Sequence, residues 1–84
     1  MSGSTRVESD EKSLPEVSLI IPVYDEEENI GVLVSEIADA LAEIRYEAIF
    51  IDDGSRDGTL SELTTARHEH PELRIIKLKR NWGK

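Results

Sequence analysis

Apolar and polar positions alternate along this chain in two distinct rhythms. Val17–Val23 (VSLIIPV) is apolar everywhere except Ser18 and rich in β-branched residues. That pattern predicts a strand covered on both faces, as in a parallel sheet. Beyond it Ile30, Leu33, Val34, Ile37, Leu41 and Ile44 recur at helical spacing and form one apolar stripe. Asp25 and Glu28 stand three apart and suit a capping-box start, while Gly31 weakens the first turn. A second strand is predicted at Glu47–Asp52. Its helix starts near Thr59, with Glu62 at capping-box offset, and carries a thinner stripe of Leu60, Leu63 and Ala66 before Pro71 stops it. Arg74–Lys79 reads as a third, less buried strand. The order strand, helix, strand, helix, strand predicts an α/β fold: parallel strands joined by right-handed crossovers, one half of a doubly wound, Rossmann-like sheet. Three strands and two helices leave one thinly covered face. They also leave an open edge, where a further strand would pair with the first.

Composition narrows the picture. The chain has 84 residues. Met1–Glu16 is polar and predicts a disordered tail, which leaves Val17–Lys84 as a single domain. A core of that size is marginal without staples. Cysteine is absent, so neither a disulfide nor a thiolate metal site helps, and a reducing compartment fits. Net charge is −8, unevenly spread: residues 17–73 hold 14 acids against three arginines, and residues 74–84 hold five bases and no acid. An acidic body argues against nucleic acid as a partner. No signal peptide or membrane-spanning run is visible, since spanning needs about 20 apolar residues.

In open α/β sheets ligands sit beyond the carboxyl ends of the strands. Those ends here carry Pro22-Val23-Tyr24-Asp25-Glu26, Asp52-Asp53-Gly54-Ser55 and Arg80-Asn81-Trp82-Gly83-Lys84. A phosphate-cradling turn is glycine-rich and free of acids. The first loop, PVYDEEEN, is the reverse, which excludes a dinucleotide fingerprint and a P-loop. Carboxylates instead accept strong hydrogen bonds from base N–H groups and ribose hydroxyls. Tyr24 could cover a base face, and Pro22 fixes the backbone at the strand end. Such a site holds the nucleoside end and leaves the phosphates to a cation. Each residue also has a plainer reading. Asp52 and Asp53 could form an Asx turn. Glu26 could be a first-turn acid favouring the helix dipole, and Tyr24 could be packing. Asp57, Gly58 and Thr59 read as a turn and N-cap without chemistry. His68 and His70, two apart, point to different sides of a helix. RDGTL is similar to the haloacid-dehalogenase signature D-x-D-G-T-L, but Ser55 stands where its nucleophilic aspartate belongs. A receiver domain has its paired acids after the first strand, where this chain has Pro-Val-Tyr.

VSLIIPVYDEEENI, YEAIFIDDGSRDGT and RNWGK together resemble the amino-terminal half of family 2 glycosyltransferases, which have the GT-A fold. They are most similar to members that move a sugar from a nucleotide sugar to a polyprenyl phosphate, of the dolichyl-phosphate mannose synthase kind. The resemblance covers Val17–Lys84 and rests on P-x-Y-x-E-E and D-D-G-S-x-D-G-T in combination. It implies that Pro22, Tyr24 and Glu26 contact the nucleotide from the first strand's end, and Ile51 and Asp53 its base and ribose from the second. Asp52 matches without a clear role. Asp25 stands where the family more often has asparagine, a departure that favours capping, and Trp82 stands where phenylalanine is commoner. The resemblance further implies a UDP- or GDP-sugar donor, a lipid-phosphate acceptor, and a divalent cation (Mg or Mn) on an Asp-x-Asp motif. It implies a place in the cytoplasm or on the cytoplasmic face of a membrane, with membrane contact only through other parts. No Asp-x-Asp occurs in these 84 residues, and the family's catalytic base has no match here. No residue is therefore assigned catalysis, and the segment alone is expected to be inactive. The alternative is a non-catalytic, truncated domain.

Overall fold

A computed structural model of the protein describes residues 14–79. The predicted tail falls mostly on residues 1–13, and RNWGK on residues 80–84, both outside the described residues. The element order is β1 (Val17–Val23), α1 (Ile30–Ala40), β2 (Tyr46–Asp52), α2 (Thr59–Glu69) and β3 (Leu73–Lys77). The strands form one sheet in the order β1-β2-β3, and both pairings are parallel. The chain is thus a parallel βαβαβ unit.

The register sorts every strand residue to a face. Leu19, Ile21 and Val23 pair with Ala48, Phe50 and Asp52 on one side, continued by Leu73 and Ile75 on β3. This side is the core. Ala48 and Phe50 are fully buried together with Ile30, Val34 and Leu63 from the two helices. Both helices therefore cover the same face. The cause is topological: two right-handed crossovers that step in the same direction across a sheet put their helices on the same side. The other side holds Ser18, Ile20 and Pro22 beside Glu47, Ile49 and Ile51, then Arg74 and Ile76. Ile20 is 59% exposed and Ile76 47%. The expectation of a first strand covered on both faces is thus corrected for the described residues: the apolar run of β1 is half open, because no helix among them crosses back over its outer side. A polar row closes the lower edge of that face, where Ser18 donates to Glu47 and Arg74 pairs with Glu47 at 3.0 Å.

Helix α1 is shorter than its stripe. It ends at Ala40, with Leu41 N–H still bonded to the Ile37 carbonyl at 3.0 Å. Ile44 lies outside it and is exposed, because the chain must turn before Tyr46 can join the sheet. Its start differs as well. The N-cap is Asn29 without a side-chain cap bond, and the first turn carries no acid. Asp25 and Glu28 therefore form no capping box. His70 is the C-cap of α2, held off helical geometry by Pro71, and pairs with Glu72 at 3.4 Å.

Two outcomes follow. β1 is an edge strand with an apolar outer face, and such edges pair with other chains. The isolated 84-residue chain should self-associate or melt without cooperativity, and Ile20→Lys should lower its mass in light scattering. A stable monomer with a sharp melt would contradict this. At the lower end, Tyr46 donates to Glu72 at 2.8 Å. Burial first, then that bond and the Glu72 charge, push its phenol up to about 12. A raised folded pKa contributes stability that is present below the ordinary tyrosine value of about 10 and is lost as pH climbs to about 12. Tyr46→Phe should remove that alkaline loss in a pH series of melts.

Candidate functional site

Two loops meet at the carboxyl rim of the sheet, residues 24–29 after β1 and residues 53–58 after β2. Parallel pairing puts them side by side. Pro22 and Ile51 are register partners on the uncovered face. Tyr24 and Asp53 come two residues later on each strand, and Asp53 N–H extends the ladder by one bond to the Val23 carbonyl at 3.1 Å. Tyr24 is 41% exposed and Asp53 half-buried. Pro22, Tyr24, Ile51 and Asp53 thus gather at one place.

The other two candidates stand apart from them. Asp52 faces the helices and is fully buried. Its Oδ1 accepts from Ser55 N–H at 3.0 Å, which closes the turn. Its Oδ2 has no hydrogen-bond partner among the described residues. Gly54 completes this turn with φ 74°, a conformation that costs a side-chain-bearing residue about 1–2 kcal/mol. Glu26 lies before the N-cap of α1 and outside its first turn. Its carboxylate accepts from Asn29 Nδ2 at 2.9 Å, and its carbonyl accepts from Asn29 and Ile30 N–H. With Asp25, Glu27, Glu28, Asn29 and Asp57 it lines a depression of 380 Å³. Four consecutive acids make that depression hostile to phosphate.

Most of the remaining polar groups bind the two loops to each other. Asp25 N–H donates to Ser55 Oγ at 2.8 Å, Glu26 N–H to Thr59 Oγ1 at 2.8 Å, and Glu27 N–H to Asp57 Oδ2 at 3.2 Å. In return Asp25 Oδ1 accepts from Arg56 N–H, and Glu27 Oε1 from Gly58 N–H, each at 2.8 Å. A Cβ on Gly58 would lie 3.3 Å from the Glu27 carboxyl, so glycine suits this approach. Thr59 is the first helical residue, not the cap. Asp57 Oδ1 accepts its N–H at 2.9 Å and also its hydroxyl. Asp25 holds φ 51°, the left-handed region that asparagine and aspartate tolerate best. That corrects the capping role expected of Asp25. Sequence reasoning read Asp57, Gly58 and Thr59 as a local turn and N-cap. The available signal was a glycine-free loop whose amides at 25–27 needed partners.

Among the described residues no group of three or more acids or histidines could hold a metal. None of their helices is long and apolar enough to cross a membrane.

A family model described as glycosyl transferase family 2 matches residues 18–84. The chain belongs to that family. It is 41% identical over 71 residues to a dodecaprenyl-phosphate galacturonate synthase of Rhizobium johnstonii, a match covering 81% of this chain and 21% of that protein. It is 40% identical over 79 residues to an undecaprenyl-phosphate 4-deoxy-4-formamido-L-arabinose transferase of Yersinia enterocolitica, covering 89% and 24%. Among solved structures it is similar to a mannosyltransferase of Pyrobaculum calidifontis in complex with GDP-Man and Mn2+. That likeness has a TM-score of 0.59 and 27% identity, and covers 83% of this chain and 21% of the other. The chain therefore spans only about a fifth to a quarter of these relatives.

The Asp57 carboxyl is held below its ordinary pKa first by the Thr59 hydroxyl, opposed next by burial, and lowered further by the backbone amides of Thr59, Glu27 and Asp57. A depressed folded pKa contributes stability above the ordinary aspartate value of about 3.9 and loses it as pH falls toward the folded value. Protection of the Glu27 and Thr59 amides, taken relative to the intrinsic exchange rate at each pH, should therefore fall on acidification below that value. Asp57→Asn should blunt this pH dependence in hydrogen-exchange measurements.

Proposed function

We propose that this chain is the nucleotide-recognition portion of an inverting glycosyltransferase that takes a sugar from a UDP- or GDP-sugar and passes it to a polyprenyl phosphate. The observation that carries the reading is the placement of Tyr24 and Asp53 just beyond two adjacent parallel strands, each two residues after the Pro22–Ile51 register pair. Asp53 accepts from ribose or base, Tyr24 covers the base, and Pro22 and Ile51 supply apolar floor. Glu26 lies on the acidic side of the same rim and contacts the nucleotide through its second oxygen. Asp52 acts on the ligand only through the turn that it closes.

The donor and acceptor classes follow the relatives. Two of them are named for transfer to polyprenyl phosphates, and the solved mannosyltransferase holds GDP-Man, which favours guanosine. That structure also holds Mn2+. Among the described residues no group of side chains fits such an ion. We assign its ligands, the acceptor site and the general base to other parts of the enzyme. We further propose that the protein acts at the cytoplasmic face of a membrane, where a polyprenyl phosphate is within reach.

Asp53→Ala in the full-length protein should weaken binding of the nucleotide-sugar donor by about 1.5–3 kcal/mol, the scale of one hydrogen bond to a charged group. Calorimetry with UDP- and GDP-sugars measures it. Unchanged affinity would reduce Asp53 to a turn residue.

A further inference from the structure

The acids and hydroxyls at the rim outnumber what a nucleoside can use, and most of them are already engaged with backbone amides. The amides of residues 25, 26 and 27 go to Ser55, Thr59 and Asp57. Those of residues 56 and 58 go to Asp25 and Glu27. The exchange is reciprocal. Each loop supplies side chains that satisfy the other loop's backbone.

We infer that Asp25, Glu27, Ser55, Asp57 and Thr59 are positioning residues: they form an inter-loop clasp that sets Tyr24 and Asp53 against each other, and they do not touch the donor. The inference rests on the nucleotide reading given above. Tyr24 is flanked on one side by Val23, whose carbonyl accepts from Asp53 N–H, and on the other by Asp25, whose N–H is held by Ser55. Asp53 is flanked by Asp52, whose carboxyl fixes Ser55 N–H, and by Gly54 in the left-handed region. The backbone around each is thus tied to the opposite loop. Asp25 is the pivot. Its φ of 51° is a strained conformation that persists only when its surroundings over-determine it. They do so at both ends, through Ser55 Oγ on its N–H and Arg56 N–H on its Oδ1, each at 2.8 Å. The clasp also consumes the amides that could have cradled a phosphate, so these two loops serve the nucleoside end of a ligand.

Three substitutions at Asp25 in the full-length protein separate its roles. Asp25→Asn keeps the Oδ1 acceptor and tolerates positive φ but removes the charge. Asp25→Gly keeps the backbone and loses the acceptor. Asp25→Ala loses both. With UDP and GDP as calorimetric probes, the asparagine variant should bind like wild type, the glycine variant a few-fold more weakly, and the alanine variant about tenfold or more, the loss of a hydrogen bond plus backbone strain. In steady-state assays the donor KM should rise in the same order while kcat at saturating donor holds. Should Asp25→Ala fail to fold, Ser55→Ala breaks the reciprocal bond while keeping aspartate at the positive-φ position and should give the same few-fold loss as glycine. Hydrogen exchange should show the amides of residues 25–27 and 56–58 deprotected in the glycine and alanine variants and protected in asparagine. Wild-type binding with asparagine as weak as alanine overturns the positioning role and makes the Asp25 charge a ligand contact. Equal affinity in all variants overturns it as well. A wild-type protein that binds neither nucleotide overturns the nucleotide reading, and the positioning role with it.

Discussion

The burial of one side of β2 is the constraint on which everything else in this chain rests. Phe50 sits mid-strand on the central strand and is fully buried between two helices and the flanking strands. Removing a ring from such a place costs about 3–5 kcal/mol, as much as a core of this size usually supplies in total, roughly 3–5 kcal/mol. The helices are held by this one layer. Their N-termini fix where the two rim loops begin and end, so the geometry of the rim follows from the packing of Phe50, Ile30, Val34 and Leu63.

That packing leaves the sheet with two unlike faces. The covered side ends at the rim in Asp52, a buried carboxylate committed to a turn. The uncovered side ends in Pro22 and Ile51, followed by Tyr24 and Asp53. Strand alternation thus separates two adjacent aspartates into different tasks. Asp52 builds the loop, and Asp53 remains on the side where a planar ligand could lie against an apolar floor. Alternation accounts for the D-D pair without requiring both acids to meet the same ligand.

Charge at the rim is organised by the same economy. Acids placed side by side repel one another, and a helix N-terminus offsets only part of that. Here Asp25, Glu27 and Asp57 each accept from backbone amides, which converts a repulsive run into a set of charge-assisted bonds. A lone phosphate would have to displace those carboxylates to reach the same amides.

The sequence by itself determined the elements, their order, the parallel sheet and the family. Periodicity in β1 and α1, the Pro71 stop and the two rim motifs are local or nearly local, and each was legible from residue type and spacing. Legibility failed where a partner was distant along the chain. Asp25 read as a cap because Glu28 was three residues away, yet its partners are Ser55 and Arg56. Thr59 read as an N-cap, yet its hydroxyl serves Glu26. Ile44 read as the end of the helical stripe, yet the turn into β2 needed that stretch. The near-continuous apolar run of β1 did not reveal which face would be covered. Only the tertiary structure decided these points, because hydrogen-bond partners some 30 residues apart meet through strand pairing and crossover direction, and neither is written in any short window of sequence.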